Sequence, residues 1–198
     1  MLGRSVSLRG WDFPHISMKE RQIRGANFVG QDCDWEHHVE AWRFSQTGQF
    51  VFLGGFWEDW RDQAGLLLPR EQYSVNERRL SVVGFVFALT EIYELAARLA
   101  QGPSGDTKYY VKIGLRGLQN RLLTIEDIGR ALLLGSHRCQ VDELSIAKSY
   151  ASDDLVARAR DLAIDGAAYF FERFGWNASR STLKSMQEEL GHYGTQRP

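Results

Sequence analysis

Hydrophobic and polar positions change period several times along the chain, and each change marks an element. Arg4-Ser-Val-Ser-Leu-Arg9 alternates and reads as a short strand, closed by Gly10 and then Pro14. Residues 16–24 are polar and weakly patterned, with a second strand predicted around Ile23 to Val29. Glu36 to Phe44 and Gln49 to Phe56 are aromatic-rich runs separated by Ser45-Gln46-Thr47-Gly48, and glycine at the end of a four-residue loop is a hairpin signature. Glu40, Trp42 and Phe44 share a face of the first arm. Phe50 and Phe52, extended by Phe56, share a face of the second. Pairing those faces sets large aromatics opposite each other, which stabilises a sheet by roughly 0.2–1 kcal/mol per pair.

Glu58 to Asn76 reads as a loop broken by Pro69, with Asp59, Arg61 and Asp62 exposed. From Glu77 to Gln101 the period becomes helical. Val83, Val86, Phe87, Thr90, Tyr93, Ala97 and Ala100 recur at three and four, and Gly102-Pro103 stops the run. Val82 to Leu89 is apolar on all sides, which predicts cover from both sheet and helices. Glu94 and Arg98 stand at i,i+4 and are expected to pair. Tyr109, Val111, Ile113 and Leu115 then alternate with Tyr110, Lys112 and Gly114 as a strand. Gly117 to Asn120 turns it, Arg121 to Ile125 returns antiparallel, Glu126 to Leu134 is a short helix, and Arg138 to Tyr150 holds one or two further strands. The tail is helical, with Ser152-Asp153-Asp154 read as an N-cap and acidic first turn. Leu155, Ala159, Leu162, Ala163, Phe170 and Phe174 form its apolar stripe, Gly175 ends it, and Ser181 to Leu190 is a last helix closed by Gly191. Strands, helix, strands, then helices predict an α+β fold: a mainly antiparallel sheet with a long central helix and C-terminal helices packed on one face.

The chain has 198 residues, 43% apolar and 25% charged, which suits a single domain over residues 1–198. Such a chain buries about 70–75% of its unfolded surface and needs no metal or disulfide staple. Lys and Arg total 24 against 25 Asp and Glu, for a net charge of -1. That balance excludes a global basic field aimed at nucleic acid or an acidic membrane, and leaves only a local patch open. Two cysteines, Cys33 and Cys139, read as free thiols in a reducing cytosol. Met1 to Arg9 holds no apolar core of signal-peptide length. The apolar stretch from Leu80 to Ala100 is bordered or interrupted by Arg79, Glu91, Glu94 and Arg98, so it is no membrane span. The expected location is cytoplasmic.

Five of the six tryptophans (Trp11, Trp35, Trp42, Trp57 and Trp60) lie in the first 60 residues, together with His15, His37 and His38. Tryptophan concentrates where a partner partly buries a surface, although aromatics on a hairpin also fill cores. Trp57-Glu58-Asp59-Trp60, an i,i+3 pair flanked by acids, is expected to be partly exposed. In Arg9-Gly10-Trp11-Asp12-Phe13-Pro14-His15, glycine and proline fix a loop presenting Arg9, Asp12 and His15. It is either a ligand pocket or a structural corner held by Asp12. Cys33, His37 and His38 are metal-ligand types, but no second close pair completes a tetrahedral site, and no metal or cofactor is expected. Glu36, His38 and Glu40 share a strand face and are the candidates for acid/base chemistry. Asp106-Thr107-Lys108 has the acid-x-Lys spacing of one nuclease class, without the hydrophobic strand that usually carries it. No phosphate-cradling glycine loop and no nucleophile elbow is present.

Several strings carry a resemblance to a known family. They are Ser7-Leu8-Arg9-Gly10-Trp11-Asp12-Phe13-Pro14-His15-Ile16, and Glu40-Ala41-Trp42-Arg43-Phe44-Ser45-Gln46-Thr47-Gly48-Gln49-Phe50 followed by Glu58-Asp59-Trp60. Thr90-Glu91-Ile92-Tyr93-Glu94-Leu95-Ala96-Ala97-Arg98-Leu99-Ala100 and Glu172-Arg173-Phe174-Gly175-Trp176 belong with them. They resemble the region downstream of a Schlafen-type AlbA-like putative DNA-binding domain in bacterial proteins. The likeness implies a freestanding version or a fragment of a longer protein, with nucleic acid engaged only through the associated domain. It carries over no catalytic residue.

The expected function is a non-enzymatic sensor or interaction module of a bacterial regulatory or antiphage-defence protein. Its ligand- or partner-binding surface comprises Arg9, Trp11, Asp12, His15, Trp42, Arg43, Asp59 and Trp60. A metal-dependent hydrolase acting on nucleic acid or a nucleotide through Glu36, His38 and Glu40 is the alternative. A homodimerisation domain using the C-terminal helices is a third.

Overall fold

A computed structural model describes residues 5–9, 11–16, 22–35, 38–61, 77–102, 106–125, 133 and 135–189. The predicted strand from Arg4 to Arg9 is there reduced to one isolated bridge between Val6 and Phe13, closed by backbone bonds of 2.8 and 2.7 Å. Four antiparallel strands follow in sequential order: β1 (Gln22–Arg24), β2 (Phe28–Trp35), β3 (His38–Ser45) and β4 (Phe50–Gly54). The single strand expected over 23–29 is therefore two, separated by a turn in which Gly25 donates to the Phe28 carbonyl at 2.9 Å.

The hairpin is as expected. Ser45 donates to the Gln49 carbonyl, Gly48 takes a φ of 82°, and Trp42 stands opposite Phe52 and Phe44 opposite Phe50. The inner face carries Cys33, Glu40 and Trp42, all buried. The outer face carries Asp32, Asp34, Arg43 and the exposed Val51 and Leu53.

After β4 a single helical turn, α1 (Glu58–Arg61), replaces the start of the predicted loop; residues 62–76 lie outside the described ones. The predicted helix from Glu77 begins later. Residues Arg79–Ser81 are strand β5, and α2 runs over Val82–Ala100. The reason is local: the Ser81 hydroxyl accepts the Gly84 N–H at 3.1 Å and so starts the helix there. Then come β6 (Lys108–Leu115), β7 (Leu122–Thr124), β8 (Leu144–Ala151), α3 (Ser152–Arg173) and α4 (Arg180–Glu188). Residues 121–125 do not return along β6. β7 pairs parallel with β5, and the partner of β6 is β8. The predicted helix 126–134 falls outside the described residues, Leu133 excepted. The α3 cap is Ala151, without a side-chain bond, so Ser152 is the first helical residue rather than the cap.

The architecture is α+β, with its antiparallel strands divided between a four-stranded sheet and the β6–β8 ribbon. Helix α2 is the centre. One side meets α3 and the ribbon through Phe85, Leu89 and Tyr93; Phe85 makes edge contacts with Phe170 and Phe171 at 5.4 and 5.8 Å. Gly166 and Ala163 let α3 approach closely, a Cβ on Gly166 falling 3.6 Å from the Tyr93 ring. The other side, Ile92, Leu95 and Leu99, meets Val6, Phe13, Phe50 and Phe52 in a second cluster. Leu183 and Met186 of α4 pack into the main core, so the C-terminal apolar stripe is used within the chain. Glu94 and Arg98 do not pair: Glu94 accepts from Arg160 at 3.0 Å, and Arg98 donates to the Ser5 carbonyl.

Candidate functional site

The N-terminal segment lies along α2, and its polar groups converge where α2 meets β3. Arg9 donates from Nε to Glu91 Oε1 at 2.9 Å and from Nη2 to Oε2, a two-pronged grip on a carboxylate with no solvent exposure. The expected partner, Asp12, is instead exposed. Trp11 lies over the guanidinium at 4.9 Å and remains 44% exposed. Burial pushes the Glu91 carboxyl up; the Arg9 bond opposes this and the charge of Glu40 adds to it.

Glu40, on the inner face of β3 and 5% exposed, is the second buried carboxylate. Its Oε1 accepts the His15 backbone N–H at 2.7 Å, and its Oε2 lies 2.9 Å from His38 Nε2. Trp42 Nε1 donates to the His15 carbonyl at 2.8 Å, so both peptide groups of His15 are held by β3. Two carboxylates withdrawn from water thus each meet a nitrogen group that reaches the surface. Such an arrangement fixes the loop and also concentrates unusual electrostatics at one place.

The eight expected binding residues divide by this geometry. Arg9, Trp11 and His15 belong to one cluster, and Asp12 stands exposed in the same segment. Trp42 supports that cluster from the core, with 5% of its surface exposed. Arg43 is the next strand residue and necessarily points to the other face, where it grips Asp32 at 2.6 and 3.1 Å and holds that carboxyl below its ordinary value. Asp59 and Trp60 are elsewhere, on α1. Asp59 binds Arg121, and the Trp60 ring lies where a Cβ on Gly55 would stand, 2.0 Å away. Trp57 of the same string is exposed. Its neighbour Glu58 accepts the Ser81 N–H at 2.7 Å, and burial pushes its carboxyl up.

His38 and Glu40 do come together, as their shared face requires; Glu36 and His37 lie outside the described residues. Among the described residues no three His, Cys, Asp or Glu side chains stand close enough to hold a metal ion. Both cysteines are buried free thiols, and no described helix is long and apolar enough to cross a membrane. Glu91 was not anticipated as a site residue. Its only signal was a carboxylate within an otherwise apolar helix. No family model matches the chain, and no curated protein or solved structure matches it.

Proposed function

We propose that this chain is a non-enzymatic interaction module that engages a ligand or protein partner through Arg9, Trp11, Asp12 and His15. The observation that carries the reading is the exposed Trp11 ring stacked on a guanidinium locked to the buried Glu91. Arg9 uses Nε and Nη2 on Glu91, while Nη1 has no partner among the described residues. A structural ion pair alone has no use for a large apolar ring held in water above it, whereas a preorganised ring and donor lower the ordering cost of binding. The resemblance of the quoted strings supports a place in a bacterial regulatory or defence protein. Native mass spectrometry of the chain purified gently from its own host tests the reading. A mass retained by the wild type and lost in Trp11→Ala, with melting temperature unchanged, supports it. A bare wild-type chain, or a mass retained equally by the variant, removes it.

One observation favours a second reading, a hydrolase acting on nucleic acid or a nucleotide. The 2.9 Å contact of His38 with a buried carboxylate is the pairing that orients an imidazole for proton transfer. It requires divalent-metal-dependent turnover that is lost in His38→Ala. No turnover over a panel of nucleotides, RNA and DNA eliminates it.

A further inference from the structure

The β6–β8 ribbon has one face on the helical core and the other in water. Tyr109, Val111, Leu115, Leu144 and Ile146 pack against the core, and Ile113 and Tyr150 are part of it. The alternate positions, Lys108, Tyr110, Lys112 and Gly114 on β6 and Ser145, Ala147, Ser149 and Ala151 on β8, are all exposed. Antiparallel register sets Tyr110 beside Ser149 and Lys112 beside Ala147. Tyr110 is 67% exposed, and no side chain opposite it is tall enough to cover its ring.

The charge on this ribbon is one-sided in a chain whose total is nearly neutral. The two strands read Lys-Tyr-Tyr-Val-Lys-Ile-Gly-Leu and Leu-Ser-Ile-Ala-Lys-Ser-Tyr-Ala, with three lysines and no acid. A solvated ribbon face ordinarily mixes both signs, because opposite charges across the strands stabilise it. Arg9, Arg43, Arg121, Arg138, Arg160 and Arg180 all have carboxylate partners. Lys108, Lys112 and Lys148 form no ion pair among the described residues, and Lys148 instead rests its ammonium over the Tyr150 ring at 5.5 Å. Acids stand only at the ribbon's ends, as Asp106, Asp142, Glu143, Asp153 and Asp154.

We infer that this face binds single-stranded nucleic acid. Lys108 and Lys112 flank Tyr110 at successive same-face positions, each about 6.6–6.8 Å away along the strand. A base stacks on the Tyr110 ring, and the lysines meet the phosphates on either side of that nucleotide. Small residues across the ribbon leave room for the ring and base to lie flat. Sequence-tolerant single-strand binders combine these same two parts, a stacking ring and a cationic track. An acidic peptide would satisfy the lysines equally, but it has no use for a bare aromatic ring centred between them. This surface is distinct from the Arg9–Trp11 cluster, and the inference does not depend on what binds there.

Fluorescence anisotropy of the full chain with short labelled oligothymidylate and oligouridylate tests the inference. Binding is expected to weaken with salt, and Tyr110→Ala to weaken it by roughly tenfold. Lys108→Ala with Lys112→Ala is expected to lower the slope of log affinity against log salt by about 1.4, at 0.7 per phosphate contact. All three positions are exposed, so the fold is kept. Lys184→Ala, which removes an α4 ammonium paired with Asp161 at 2.8 Å, serves as the control and is expected to change nothing. Binding to either oligomer with this pattern supports the inference. No binding at low salt, equal losses in the Lys184 control, no effect of Tyr110→Ala, or equal occupancy by polyglutamate overturns it.

Discussion

Arg121 reaches back to Asp59 and closes on both carboxylate oxygens, with Nη1 to Oδ1 at 2.8 Å and Nη2 to Oδ2 at 2.9 Å. Nη1 also donates to the Arg79 carbonyl at 2.7 Å, Nε to the Gly117 carbonyl at 3.1 Å, and the guanidinium faces the Phe56 ring at 4.3 Å. With 1% of its surface exposed, Arg121 is a buried cation whose charge is answered by one carboxylate on α1. Through it, the segment after the first sheet is fixed to the β5–β7 pair.

Asp59→Ala therefore leaves a buried guanidinium without its counter-charge. Water reaches Asp59 and moderates the loss, so the expected cost is about 2–3 kcal/mol, the scale of hydrogen bonds to a charged group. Asp59→Asn keeps one acceptor and should cost less. Urea unfolding of the three chains measures both. An Asp59→Ala chain as stable as the wild type would show that the bond only decorates the surface.

Glu58 makes stability depend on pH. Burial raises its carboxyl above the ordinary value, so the native state binds the proton more tightly than the unfolded chain. Its contribution is complete below the unfolded value and is lost as pH rises through the folded one. Unfolding free energy is thus expected to fall as pH climbs through the weakly acidic range. Glu58→Gln keeps an acceptor for the Ser81 N–H and should flatten that decline. Glu58→Ala leaves the N–H at the start of α2 unanswered and should cost about 1–3 kcal/mol at every pH. Unfolding curves at several pH values separate the two variants.

What could be read from residue order follows from how local each cause is. The β3–β4 hairpin was legible because a period-two aromatic pattern and the Gly48 turn agree. Most of β2 was missed because its inner face buries Gln31 beside Cys33 while Gly30, Asp32 and Asp34 interrupt any apolar run. β5 was absorbed into α2 because Leu80, Val82 and Val83 continue one apolar stretch, and only Ser81 marks the boundary. The partner of β7 is decided by packing and leaves no local trace. His38 and Glu40 were legible as an i,i+2 pair. Arg9 and Glu91 were not, being 82 positions apart. Trp42 and Arg43 were grouped by adjacency, although strand geometry separates them.

Trp42 and Trp11 should respond oppositely to truncation. Trp42→Ala opens a cavity beneath the sheet and releases the His15 carbonyl, with an expected cost of about 3–5 kcal/mol. Trp42→Phe keeps most of the packing and loses the 2.8 Å bond, for about 1 kcal/mol beyond the volume change. Trp11→Ala should stay within about 0.5 kcal/mol of the wild type, because its ring is largely in solvent. Thermal unfolding of the three variants decides. A large loss in Trp11→Ala would make that ring structural and end its use as a binding platform.

The Arg9–Glu91 pair allows a sharper test, because its two halves are unequally buried. Glu91 has no exposed surface, so Arg9→Ala strands a carboxylate in the core and should cost about 3 kcal/mol at neutral pH. The same change removes the opposing influence on Glu91 and raises its carboxyl further. A raised value means that stability is retained at low pH and lost as pH rises, so the Arg9→Ala deficit should shrink in acid and widen above neutrality. Glu91→Gln placed on the Arg9→Ala background carries no charge and needs no cation. The double variant should recover part of the loss and be nearly indifferent to pH at this site. Urea unfolding of the wild type, both single variants and the double variant at pH 5 and pH 8 measures the coupling directly. Additive losses at both pH values would mean that the guanidinium and the carboxylate do not support one another, and that the N-terminal segment is held by Val6 and Phe13 alone.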